Sequence, residues 1–235
     1  MRQQIPNALT LANLFCGCCA VVLWLDGQPY FAAAFMAASF VLDYADGLVA
    51  RALGVHSPMG RELDSLADVV SFGVVPGLML YSLLVEALCP DNLWLWCWAA
   101  APGFVLTTFA AYRLGRFNLD TTPRSYFIGL STPACTVFVL GMALAAHDNA
   151  FGLGEFLRQN PWVTYGLVAV LSYLMVSHIP MHGLKVSGAG PAGWGRIAGF
   201  ALVGGLLLWG LGPLGMSVVV VLYIVYSLLV SPVRE

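Results

Sequence analysis

Eight long apolar runs, at 9–25, 30–50, 64–88, 94–114, 127–146, 162–179, 196–210 and 213–231, leave this chain few ways to fold. A helix needs roughly 20 mostly apolar residues to cross the hydrocarbon core of a bilayer. The runs are continuously apolar rather than alternating, which excludes a β-barrel. Only 9% of the 235 residues are charged and 60% are hydrophobic, whereas about 25% of a soluble domain is charged. The expected fold is an all-α integral membrane protein forming a single membrane domain. The start, Met1-Arg2-Gln3-Gln4 and then Asn7, Thr10 and Asn13, is a poor match to a cleaved signal and is read as part of the first helix.

Short cytoplasmic loops retain Lys and Arg, so basic residues orient such a chain. On the eight-span reading Arg2, Arg51, Arg61, Arg113, Arg116, Arg124, Lys185, Arg196 and Arg234 fall at one face, and Arg158 alone at the other. Both termini are therefore expected to be cytoplasmic, in an inner or cell membrane. Polar residues gather on the same side, at 43–68, 113–124 and 177–196. Of the outward loops, only 147–161 has the pattern of a short interfacial helix, with Phe151, Leu153, Phe156 and Leu157. The net charge of −2 implies no nucleic-acid partner.

Four aspartates lie at the cytoplasmic ends of the second and third spans, where an ionised carboxylate is costly unless paired, hydrated or bound to metal. Asp43 and Asp46 are spaced i, i+3, and Asp64 and Asp68 i, i+4, so each pair shares a helix face. Two antiparallel helices bring those faces together as an oxygen-rich pocket suited to Mg²⁺ or Mn²⁺. Gly47 and Ala50 let a ligand approach the helix backbone, and Arg51 offers a planar fork for phosphate oxygens. The combination describes a place to hold a pyrophosphate. Structural ion pairs, or a cation relay in a transporter, are the alternative readings of the carboxylates.

The string Asp43-x2-Asp46-Gly47-x2-Ala50-Arg51-x8-Gly60-x3-Asp64-x3-Asp68 resembles the CDP-alcohol phosphotransferase signature at every fixed position. The resemblance implies a six-helix core, here with about two further C-terminal helices: residues 1–185 would be the catalytic core and 186–235 the addition. It implies that Asp43, Asp46 and Asp64 bind metal, in what is expected to be a two-metal site. Asp68 would join them and also act as general base on the acceptor hydroxyl. It places Asn7, Thr10, Asp46, Gly47, Ala50, Arg51 and Gly60 against the CDP moiety, and implies a homodimer.

Three further segments are similar to the phosphatidylserine synthases of that family: Asn7-x2-Thr10-x2-Asn13-x3-Gly17; Arg113-Leu114-Gly115-Arg116-Phe117-Asn118 with Phe127-x-Gly129-Leu130-x2-Pro133-Ala134; and Met175-Val176-Ser177, Ile179-Pro180 and Lys185. Gly115, Ser131 and His178 depart from that pattern. The resemblance implies transfer of a phosphatidyl group from CDP-diacylglycerol, a membrane lipid, to L-serine, releasing CMP. Asn13, Arg113, Arg116, Asn118 and Lys185 are the candidates for holding serine and the lipid phosphate. Choline, glycerol phosphate and inositol phosphate are the alternative acceptors. A non-catalytic lipid-binding scaffold is a weaker reading, against which the intact Asp68 argues.

The remaining features have bland expectations. The six cysteines read as small buried hydrophobes rather than ligands or disulfides. His56, His178 and His182 read as loop or helix-end residues. Trp94, Trp96, Trp98, Tyr30 and Trp162 suit a membrane interface.

Overall fold

The computed structural model describes residues 4–55, 57–89, 97–120, 126–181 and 191–230. Helix α1 (Gln4–Leu25) buries Pro6, Thr10, Asn13, Gly17 and Ala20, a stripe at three- and four-residue intervals. It packs along α2 (Pro29–Ala52), which buries Ala32, Met36, Ser39 and Asp46 in answer. Phe15, Val22, Phe31 and Val41 point outward and are exposed, as lipid-facing side chains of a spanning helix would be. Gly54, with φ of +63°, closes the end of α2. Ser57 then opens α3 (Pro58–Val69) by accepting the Gly60 N–H at 2.8 Å, with Pro58 in the first turn.

α3 runs through a π-helical turn, Val70–Val74, into α4 (Val75–Leu88), and this continuous rod is the most enclosed of the long helices. A 3₁₀ segment, Trp98–Phe104, leads into α5 (Val105–Leu119). After a two-residue strand β1 (Phe127–Ile128) come α6 (Thr132–His147), a 3₁₀ turn at Ala150–Gly152 and α7 (Leu153–Gln159). α8 (Pro161–Val176), β2 (Pro180–Met181), α9 (Pro191–Leu211) and α10 (Leu214–Leu229) complete the order. The core forms where α4 and α6 meet the others, with Phe72, Met79, Leu80, Leu106, Leu130, Val139 and Met175 all buried. Phe72 stacks on Phe40 with ring centroids 4.7 Å apart.

The eight expected apolar segments all appear as helices, with shifted ends. Among the described residues three stretches, Gln4–Leu25, Pro29–Ala52 and Pro58–Leu88, are by themselves long and apolar enough to cross a membrane. Turn chemistry shortens two of the others: the strand Phe127–Ile128 and the left-handed Gly129 come ahead of α6, and α5 is preceded by 3₁₀ geometry. The expected short helix at 147–161 is α7, with the Ala150–Gln159 stretch bent by 106° from α6. Gly154 makes that corner, since a Cβ there would lie 2.2 Å from the Ala146 carbonyl oxygen.

Phe127 and Ile128 pair antiparallel with Met181 and Pro180, joining two segments that looked unrelated in sequence. Gly129, at φ +70°, sits against the last carbonyls of α8, where a Cβ would meet Met175 O at 2.6 Å. No side chain fits there.

One expectation is corrected. Cys89 and Cys97 form a disulfide that ties the end of α4 to the 3₁₀ segment, so these two are not simply small hydrophobes. Their sequence context is apolar, and the pairing depends on the chain returning across the end of α4. Arg158 lies at this same end of the molecule and pairs with Glu86 at 3.6 Å. Tyr30 there donates its hydroxyl to Asp148.

Candidate active site

At the opposite end of the rods, α2 and α3 bring their aspartates together. Carboxylate oxygens of Asp43, Asp64 and Asp68 all lie within 4.8 Å of one another. Like charges that close repel by about 3 kcal/mol per pair at an effective dielectric of 20. One oxygen of Asp68, Oδ1, is buried and has no hydrogen-bond partner. An oxygen-only donor set with an orphaned carboxylate oxygen fits a hard divalent cation.

Asp46 stands beside this group rather than inside it. It is 7% exposed, and its Oδ2 accepts the Thr10 hydroxyl at 2.5 Å. Thr10 also reaches the Pro6 carbonyl at 3.1 Å. Asp46 and Asp64 form the border between the carboxylate group and a cavity of about 530 Å³. All seven residues expected against CDP, namely Asn7, Thr10, Asp46, Gly47, Ala50, Arg51 and Gly60, line it. The Arg51 guanidinium lies across Gly47, with Nη1 3.4 Å from where a Cβ would sit. The first turn of α3 also faces the cavity, and the positive end of its dipole favours an anion.

Two polar members of this wall, Ser57 and Arg61, were not among the expected site residues, nor were the apolar Pro6, Val55 and Pro58. Ser57 is the cap of α3, and Arg61 reads in the sequence as a topology residue alone. Its position directly after Gly60 of the signature was the available signal.

The five residues expected around serine or the lipid phosphate separate. Asn13 is fully buried; its Oδ1 accepts from Ser39 and, at 2.9 Å, from Ser71, so it pins α1 to α2 and to the π turn. It does not line the cavity. Arg116 reaches the Val176 carbonyl at 3.3 Å and His178 at 2.8 Å, at the end of α8. Asn118 donates to Ser65 at 2.6 Å, tying α5 to α3 between Asp64 and Asp68. Arg113 lies within electrostatic reach of Asp68, Cys135 and Tyr223, with its Nε buried and unpartnered. Lys185, like His56 and His182, lies outside the described residues.

Comparison with known proteins bears on this geometry. Residues 3–172 match the profile of the family described as CDP-alcohol phosphatidyltransferase. A CDP-diacylglycerol–serine O-phosphatidyltransferase of Mycobacterium leprae is 37% identical over 186 residues, covering 76% of this chain and 58% of that protein. One of Bacillus subtilis is 31% identical, covering 75% and 89%. An archaetidylserine synthase of Methanothermobacter thermautotrophicus is 30% identical, covering 80% and 73%. The chain thus spans less than two thirds of the mycobacterial relatives' length, 58% and 61% in two of them.

Proposed function

The chain belongs to the CDP-alcohol phosphatidyltransferase family, and from that membership and the site we propose that it transfers the phosphatidyl group of CDP-diacylglycerol to L-serine, giving phosphatidylserine and CMP. The observation that carries the reading is the contact between the Asp43, Asp64 and Asp68 group and a cavity lined by all seven expected nucleotide residues. A divalent cation, Mg²⁺ or Mn²⁺, held by these three carboxylates and reached by Asp46 from the cavity side, would neutralise the phosphate charge; the family in general uses such ions.

The protein's own groups supply the rest. Arg51, Arg61 and the first turn of α3 hold phosphate oxygens, and Gly47 and Ala50 let the nucleotide lie close to α2. The hydroxyl oxygen of serine attacks the phosphorus attached to diacylglycerol, its proton passes to Asp68, and the phosphorus–oxygen bond to CMP breaks. An alcohol is a weak nucleophile until a positioned base takes its proton. Among the described residues Arg113 is the best-placed cation for the serine carboxylate, because Arg116 is engaged by the end of α8 while the Arg113 Nε remains buried and unpartnered; Asn118 is bonded to Ser65. The serine choice also draws support from the named activities of the relatives, including one covered over 89% of its length.

The aspartate end is read as cytoplasmic. Arg51, Arg61, Arg113 and Arg116 gather there, and the Cys89–Cys97 disulfide sits at the other end, where an oxidising compartment would keep it. A homodimer, with residues 1–185 as the catalytic core of one membrane domain, completes the proposal.

The test supplies purified protein with CDP-diacylglycerol and, in turn, serine, choline, glycerol phosphate or inositol phosphate, and monitors CMP release. Release that depends on serine supports the reading. Release with another alcohol alone moves the assignment within the family, and no Mg²⁺-dependent CDP binding by calorimetry would return it to a cation carrier.

A further inference from the structure

Two residues after Asp68 the helix stops being an ordinary α-helix. The Val75 N–H bonds to the Val70 carbonyl, five residues back instead of four. The cause is in the sequence: Pro76 has no amide hydrogen, and its ring crowds the carbonyl of Phe72 one turn earlier. The carbonyls splayed by the wide turn are met from neighbouring helices. Thr107 on α5 donates to Gly73 O at 2.9 Å. Thr136 on α6 reaches Phe72 O at 3.1 Å while also bonding its own Thr132 carbonyl at 2.9 Å. From the α1 side, Ser71 donates to Asn13, and Gly17 makes room, since a Cβ there would lie 2.5 Å from the Ser71 hydroxyl.

One extra residue in a helical turn rotates the segment before it by about 100° relative to the segment after it. The buried face of α4, from Val75 to Leu84, is fixed by the core. The turn therefore decides which way Asp64 and Asp68 point. Unlocked and relaxed to α geometry, the same core packing would swing them off Asp43.

Building on the proposed phosphotransfer, we infer that the π turn Val70–Val74 is the aiming element of the site, and that Thr107 and Thr136 are positioning residues acting on Asp68 through it. In lipid, hydroxyls from neighbouring helices re-satisfy backbone freed by proline; here those bonds also hold a catalytic angle.

The experiment compares full-length wild type with Thr107→Val, Thr107→Ser and Thr136→Val. Kinetics are read with whichever alcohol the wild type uses, and bound Mn²⁺ is read by electron paramagnetic resonance. Because misplacement by about 1 Å costs on the order of 100-fold, we expect kcat to fall at least tenfold in Thr107→Val. KM for the CDP lipid should stay within about twofold, the Mn²⁺ spectrum should change, and Thr107→Ser should recover most of the loss. Wild-type kcat and spectrum in both valine variants would overturn the inference, as would equal impairment in Thr107→Ser. If Thr107→Val does not fold, Thr136→Val is read by the same criteria. A wild type without serine-dependent release defeats the serine assignment, while the Mn²⁺ comparison still decides the role of the turn.

Discussion

Thr10 on α1 and Asp46 on α2 are joined by a 2.5 Å hydrogen bond at the point where the cavity meets the carboxylate group. Asp46 is thereby held on the cavity side of Asp43, its neighbour one turn earlier, and the two carboxylates of one helix serve different places. Hydrogen bonds to charged groups are worth about 1.5–3 kcal/mol. Replacing Thr10 with Val should raise the dissociation constant for CDP in the presence of Mg²⁺ about tenfold or more, while Thr10→Ser stays near wild type. Calorimetry decides it, and unchanged affinity in the valine variant would show that the bond is incidental.

Asp43 and Asp68 belong to the same cluster but carry different assignments, which separate by measurement. Asp43→Asn removes a ligand without touching the base, so Mg²⁺-dependent CDP binding and turnover should fall together. Asp68→Asn also removes the proton acceptor, and a positioned base contributes about 10²–10⁴ in rate. Turnover should fall by about that factor more than in Asp43→Asn, while Mg²⁺-dependent CDP binding falls to a similar extent in both, since each variant removes one carboxylate of the same cation-suited group. An Asp68→Asn protein with normal turnover would refute the base assignment.

The carboxylate group was legible in the chain because its members are local: Asp43 to Asp68 lie on two consecutive helices, and helical spacing puts each pair on one face, whereas Asn7 and Thr10 on α1 were reached only through the family resemblance. Asn13 shows where that reading stops. Its motif is regular, but whether residue 13 faces the cavity or the π turn depends on how α1 is rotated against α2, which Ser39 and Ser71 set from elsewhere in the chain. The same holds for Arg116, claimed by the end of α8, and for Gly129, whose need becomes visible only when β1 meets β2. The Cys89–Cys97 pair was hidden for a related reason, since apolar surroundings suit a buried thiol as well as a disulfide.

Arg51 and Arg61 face the same cavity from different elements, one at the end of α2 and the other in the first turns of α3. Both should bind phosphate oxygens, and Arg51 is braced by lying over Gly47. Arg51→Lys keeps the charge and loses the planar fork, so it should still raise KM for CDP-diacylglycerol by about tenfold, or about 1.4 kcal/mol. Arg61→Lys should cost less than about threefold, and Arg61→Ala about as much as Arg51→Lys. Steady-state kinetics against the CDP lipid at saturating acceptor measures all three, and an Arg61→Ala protein with unaltered KM removes Arg61 from the site.

Cys89 lies about 30 Å along the α3–α4 rod from Asp68, at 1.5 Å per residue. The disulfide closes a short loop, its cysteines 8 residues apart in sequence, for which chain-entropy arguments give about 2.5 kcal/mol of stabilisation. Changing both Cys89 and Cys97 to Ser should lower the melting temperature by about 5–10 °C and leave kcat within about twofold, because the chemistry is at the other end. The same bond reports orientation. In intact cells a membrane-impermeant thiol reagent should label the wild-type protein at these positions only after reduction, if the disulfide end faces outward and the aspartates face the cytoplasm. Labelling that requires the membrane to be opened would reverse the orientation, and it would put the acceptor alcohol on the other side of the membrane.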